Sequence, residues 1–240
     1  MKAARGPGEH DGPKLADPPM NDQRGTFVQT LMRFRLLKLP WLLGLACAAS
    51  AVCGRERPEE PTSFVEVKDT ERGQRVALRA AGLVGTSLRR YPVSDDCSGL
   101  VRLAYQSVGV ELLSQGKRPG ENAASAMYRR AMRTGALHRH TPEPGDIVFF
   151  RETYDRNRDG LRNDGVTHVG VIESVASEGT VVFVHRGGKG VVRARMNLLH
   201  PERKGPGGEI LNDYIRRAEG GRRARLTSEL FAGYASASRL

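Results

Sequence analysis

Cysteine is scarce in this chain. Of three among 240 residues, Cys47 and Cys53 fall in one apolar stretch near the start, so Cys97 stands alone in the body. That scarcity excludes a disulfide framework unless Cys53 persists and pairs with Cys97. No apolar run reaches the roughly 20 residues of a membrane-spanning helix, and no internal repeat is visible. Zinc-finger spacing, a basic zipper and an aromatic RNA-binding motif are also missing. The basic residues are scattered instead of gathered on a periodic face, so no nucleic-acid partner is expected. With 39% hydrophobic composition, the chain has material for one good core, read as one catalytic-sized domain acting as a monomer.

Positive charge is abundant. Lys plus Arg outnumber Asp plus Glu by 38 to 27, a formal net charge of +11, which draws a protein to polyanions. With nucleic acid set aside, anionic lipid and anionic wall polymer remain.

The stretch from Met32 to Cys53, MRFRLLKLPWLLGLACAASAVC, has the three parts of a secretory leader. Arg33, Arg35 and Lys38 form the basic start, Leu39 to Leu45 the apolar centre, and small residues follow. Export to the cell envelope is the expectation. Residues 1–31 then read as a disordered or mis-assigned upstream extension, with Met32 as the start. Ala49-Ser50-Ala51 fits ordinary cleavage. Leu43-Gly44-Leu45-Ala46-Cys47 resembles a lipobox, with Gly44 where an aliphatic residue is usual. Any membrane contact would therefore run through an N-terminal lipid.

Residues 54–69, rich in Arg, Glu and Pro, read as a linker, and residues 70–217 as the catalytic domain. Val76, Ala80, Leu83, Val84 and Leu88 recur at helical spacing and predict a first helix ending before Tyr91-Pro92. CSGLVRLAYQSVGV predicts a second, N-capped by Asp95 or Asp96 and closed by Gly109. A third is expected over Ala123 to Arg133. After Asp146 the texture becomes β-rich: DIVFF, HVGVIESV, TVVFVH and VVRARM, separated by turns. Helices first and sheet second predict an α+β fold, N-terminal helices packed on an antiparallel sheet. Residues 218–240 read as a C-terminal tail, with one short helix or a frayed end.

Cys97 opens the second helix, where unpaired amides and the helix dipole favour a thiolate, so its pKa is expected to fall. Asp96 beside it opposes this, and the thiol needs a histidine partner. His138, His140 and His200 sit in polar turns and read as surface residues. His168 opens one strand and His185 closes the next. If these strands pair through Glu178-Gly179, both imidazoles fall at one end of the sheet. Cys97, His168 and His185 then supply nucleophile, base and orienting group, although His185 taken alone reads equally as a backbone-bonded strand end.

The ordered segments DCSGLVRLAY, PGDIVFF, THVGVIESV and VVFVH followed by GVV resemble the NlpC-type papain-like cysteine peptidases, and nearly as well the related CHAP amidases, over about residues 70 to 215. The resemblance implies a papain-like fold acting on peptide or amide bonds of peptidoglycan, with Cys97 as nucleophile, His168 as base and His185 at the third polar position. CHAP members more often carry Asn or Glu there. One departure is the absence of the family's Tyr and Gly-Gly ahead of the cysteine. Here Gly85-Thr86-Ser87 and Arg89-Arg90-Tyr91 stand in that region, so the bond cut does not follow. An acyl transferase using the same thiol, or a noncatalytic wall-binding module, are the competing readings.

Asp155, Asn157, Asp159, Gly160 and Asn163-Asp164 form the front half of a calcium loop, although Val166 occupies the twelfth position, where a carboxylate is usual. The alternative is a polar hairpin insertion at the active-site edge. No cofactor is required by the chemistry above.

Overall fold

A computed structural model describes residues 63–240, with side chains from Thr70 onward. The proposed leader, upstream extension and most of the linker lie outside the described residues. Helix α1 spans Ser63–Ala81, so helix already occupies the last seven positions read as linker. It buries Val76, Ala77 and Ala80 along one stripe. It also stops earlier than its apolar spacing implies: a turn at Gly82 to Gly85 intervenes, and Leu88–Arg90 form a separate 3₁₀ turn.

Helix α2 covers Cys97–Gln106, with Asp96 as its N-cap accepting the Gly99 amide at 2.9 Å. Leu100, Val101, Ala104 and Tyr105 are fully buried, the i, i+1, i+4, i+5 pattern of a stripe pressed on a sheet. Tyr105 donates its hydroxyl to the Gly145 carbonyl at 2.9 Å. Helix α3 runs Ala123–Arg133 behind an Asn122 cap.

The main sheet is antiparallel. Its strands are β1 (Leu137–His138), β2 (Ile147–Arg151), β3 (Val166–Val175), β4 (Val181–Gly187), β5 (Gly190–Met196) and β8 (Phe231–Ala235), in the order β1-β8-β2-β3-β4-β5. A small ribbon pairs β6 (Tyr214–Arg216) with β7 (Arg225–Leu226), and a four-residue helix α4 (Thr227–Leu230) leads into β8. Strand β2 is buried on both faces because alternate residues enter two cores. Ile147 and Phe149 join the helix side with Leu100 and Tyr105, whereas Val148 and Phe150 join Phe183, Met196 and Leu230 on the other. This is the expected α+β arrangement, with helices packed on an antiparallel sheet.

Residues 218–240 are not a tail. β8 is flanked by β1 and β2, and Ala232, Tyr234 and Ala235 are buried. Of the short helix expected there, the four residues of α4 form, and the strand after them is specified by its two neighbours rather than by local periodicity. His138 likewise departs from the surface reading. Its side chain is 8% exposed, Nε2 lies 3.3 Å from Asp146, and its ring stacks on His140 at 3.8 Å.

Candidate active site

The loop before α2 is wound tightly around Asp96. One carboxylate oxygen, Oδ1, accepts from Ser94 Oγ at 3.0 Å, Ser98 Oγ at 2.6 Å and the Gly99 amide at 2.9 Å. Burial pushes this carboxyl up, but the three donors more than offset it and hold it below the ordinary range. Gly99 is required here because a Cβ would stand 1.8 Å from the Ser94 carbonyl oxygen. The DCSG motif is thus a packed loop-to-helix junction that delivers Cys97 at the first turn.

Strand β3 is pinned where it begins. Asn122 Nδ2 and Ser125 Oγ from α3 both donate to the Val166 carbonyl, at 3.0 and 2.8 Å. Thr167 Oγ1 lies 2.9 Å from both the Thr153 amide and hydroxyl. His168 follows at once, and the backbone amide of Val169 donates toward the Cys97 sulfur.

Strands β3 and β4 pair as the hairpin anticipated, Val171 opposite Val184. His168 Nε2 lies 2.8 Å from His185 Nδ1, with the rings edge-to-face at 5.0 Å. Gly170 makes this contact possible. A Cβ there would press on Phe183 Cδ2 at 2.8 Å, the Val184 carbonyl at 2.9 Å and His185 Cβ at 3.4 Å. With Nε2 engaged, Nδ1 is the His168 nitrogen left for the thiol. Cys97, His168 and His185 all line one cavity of about 710 Å³, into which the partly exposed Cys97 opens.

The electrostatics correct one expectation. Burial pushes the Cys97 thiol up to about 11, and Asp96 adds to this, against the favourable amides of Val169, Ser98 and Cys97 itself. The helix N-terminus acts in the anticipated direction and is outweighed. Burial and the neighbouring His185 pull His168 down to about 3. Burial pulls His185 to about 4, opposed by the Asp213 carboxylate. At neutral pH the site therefore holds a thiol beside uncharged imidazoles.

Sequence reading missed several lining residues. Arg186 binds Asp95 through two nitrogens, at 3.1 and 3.2 Å. Tyr154, Asp213, Tyr214 and Arg217 also face the cavity. The last three belong to an excursion between β5 and α4 that is closed by a buried amide network. Asn212 Oδ1 accepts the Asn197 amide at 2.9 Å, and Asn212 Nδ2 donates to the His200 and Glu202 carbonyls at 2.8 and 2.7 Å. No local motif marks these positions.

The Asp155 to Asp164 loop satisfies most of its own polar atoms. Gly160 donates its amide to Asp155 Oδ2 at 2.8 Å, and Asn163 donates to Asp159 at 2.7 Å. Asp155 Oδ1 is buried without a partner among the described residues. Among those residues no group of three or more His, Cys, Asp or Glu side chains is placed to hold a metal ion. Nor is any described helix long and apolar enough to cross a membrane.

In comparison with known proteins, residues 87–187 match the CHAP domain family. That span contains Cys97, His168 and His185 and stops before the 197–227 excursion. No curated protein and no solved structure matches the chain. A CHAP domain points broadly to amidase or peptidase hydrolysis, with peptidoglycan as the substrate. The match to the CHAP domain family over residues 87–187 is consistent with the NlpC- and CHAP-type cysteine peptidases.

Proposed function

We propose that the protein is an exported cysteine hydrolase that cleaves peptide or amide bonds of peptidoglycan through Cys97, His168 and His185. The observation that carries this reading is the 2.8 Å contact between His168 Nε2 and His185 Nδ1, in a cavity shared with the thiol. Export rests on the leader-like Met32 to Cys53 segment, and the surplus of basic residues suits an anionic wall.

The chemistry follows from the tautomers. For His168 Nδ1 to accept the thiol proton, Nε2 must carry the ring proton and donate it to His185 Nδ1. His185 then keeps its own proton on Nε2, and the Asp213 carboxylate favours a charged imidazole there. As the sulfur attacks the carbonyl carbon, its proton passes to His168 Nδ1 and the carbonyl becomes an oxyanion. The amides at the start of α2 are the donors for that charge. His168 returns the proton to the leaving amine, leaving an acyl thioester. Water, deprotonated by His168, then releases the acid and restores the thiol. With both groups uncharged at rest, proton transfer accompanies attack instead of preceding it.

The test is digestion of purified peptidoglycan by the wild-type protein and by Cys97→Ser, with mass spectrometry of the soluble fragments. Fragments ending in new carboxyl and amino groups are expected from the wild type alone. Equal release by both proteins would remove Cys97 from the mechanism, and adducts with an added amine would show transfer.

A further inference from the structure

We propose that Arg216 is a positioning residue: through the Glu152 carbonyl and the Thr153–Thr167 pair it holds the start of strand β3, and so fixes the imidazole of His168. The inference rests on the hydrolase reading above. It extends the machinery to a segment outside the residues 87–187 that match the CHAP family.

Arg216 ends strand β6 and reaches the wall of the Cys97 cavity. It is buried, only 8% exposed, yet no carboxylate among the described residues pairs with its guanidinium. Nη1 donates instead to the Glu152 carbonyl at 2.7 Å, 64 positions earlier in the chain. A buried cation without a counter-ion carries a desolvation cost that an apolar side chain of similar length avoids. Arg216 therefore adds little to stability, and what it supplies is a fixed donor at Glu152.

Glu152 is a point where the chain has to be held. It follows the register shift between Phe150 and Arg151, and its φ of +54° is uncommon for a residue with a side chain. Such a backbone persists only where its neighbours over-determine it. The Glu152 amide donates to the Gly165 carbonyl at 3.0 Å, and its carboxylate accepts the Gly165 amide at 2.8 Å. Arg216 takes the remaining carbonyl. Thr153 is thereby aimed at β3: its amide donates to Thr167 Oγ1 at 2.9 Å, and its hydroxyl lies 2.9 Å from the same oxygen. Both threonines are buried. Thr167 immediately precedes His168, whose Nε2 meets His185 Nδ1 at 2.8 Å. Buried contacts thus run without a break from β6 to the peptide that bears the base.

Such a chain carries coupling only if its links depend on one another, which a double-mutant cycle measures. The full-length protein is compared with Arg216→Met, Arg216→Lys, Thr167→Val and the Arg216→Met/Thr167→Val double variant. Rates of fragment release from purified peptidoglycan are read with urea midpoints. Arg216→Met should lower kcat by about tenfold, the scale of a small misplacement of a reacting group, with KM and the urea midpoint held. Arg216→Lys, which keeps a donor, should recover most of the rate. Thr167→Val should show a similar loss, and the double variant should lose no more than the worse single one. An undiminished kcat in Arg216→Met, losses that multiply in the double variant, or a lowered midpoint that Lys does not restore overturns the assignment. The ring-nitrogen NMR shifts of His168 give a readout without turnover, because they report its tautomer. The wild type and Arg216→Lys should share one set of shifts, and Arg216→Met should depart from it. Identical shifts in all three overturn the positioning role, whereas absence of Cys97-dependent fragments from the wild type overturns the hydrolase reading and leaves the NMR comparison readable.

Discussion

Arg186 grips Asp95 with Nε and Nη2 on separate carboxylate oxygens, at 3.1 and 3.2 Å. The pair ties the loop two residues before Cys97 to the residue after His185, and so links the two halves of the proposed triad. The Arg186 guanidinium is also the main cause of the lowered Asp95 pKa. Because both side chains are about a quarter exposed, solvent screens the attraction and its share of stability is small. Arg186→Met should leave the melting temperature nearly unchanged and lower kcat by about tenfold, as expected from a small misplacement of a reacting group. An unaltered kcat would show that the loop holds its place alone.

The imidazole pair makes a second prediction. His185→Ala should lower kcat by about 100-fold with little change in KM, since His185 orients the base without touching substrate. His185→Asn, which retains a hydrogen-bonding group, should recover part of that loss. Gly170→Ala forces a methyl against the Val184 carbonyl and should cost about 1–3 kcal/mol in chemical denaturation as well as activity. Wild-type behaviour of His185→Ala would show that His168 needs no partner.

Thiol reactivity reports the charge state directly. With Cys97 pushed up to about 11 and His168 held uncharged above about 3, iodoacetamide alkylation should be slow at neutral pH. It should rise by about tenfold per pH unit through pH 9, because only the thiolate reacts. A plateau from pH 6 to 8 would instead signal a preformed thiolate–imidazolium pair.

Acid stability should expose the same burial. Both site histidines have folded pKa values, about 3 and about 4, below the ordinary value near 6.5. The unfolded chain therefore takes up protons first as pH falls, and stability should decline from about pH 6.5 toward pH 4. Glu111 and Glu121, lowered to about 2 by Arg102 and Arg129 respectively, add their loss only below about 4.5. Urea midpoints at pH 7, 6 and 5 test this, and replacing both histidines by Asn should flatten the slope over that interval.

Much of this was legible before any coordinates. Cys97 announces itself by solitude and by the capping Asp96. His168 and His185 announce themselves at opposite ends of strands that a short turn forces to pair. Helix α3 and four of the main strands carry clear periodicity and matching terminators. The first helix ends before its apolar spacing does, because Leu83, Val84 and Leu88 keep helical spacing through a turn. Asp213 and Arg217 stay hidden because their places depend on where a buried amide network folds the segment after β5, and Arg186 because its partner Asp95 is 91 positions away in sequence. The thiol pKa departs from expectation because the dipole is visible in sequence, whereas the depth of burial is not.

Strand β2 takes one neighbour from the segment after it and the other from β8, more than 80 positions downstream. A growing polypeptide that has reached His185 holds every member of the proposed triad, yet the sheet carrying two of them is still open along one side. That side is covered only by residues 231–235, almost the last of the chain to be made, so the sheet under both histidines is completed from the far end of the sequence.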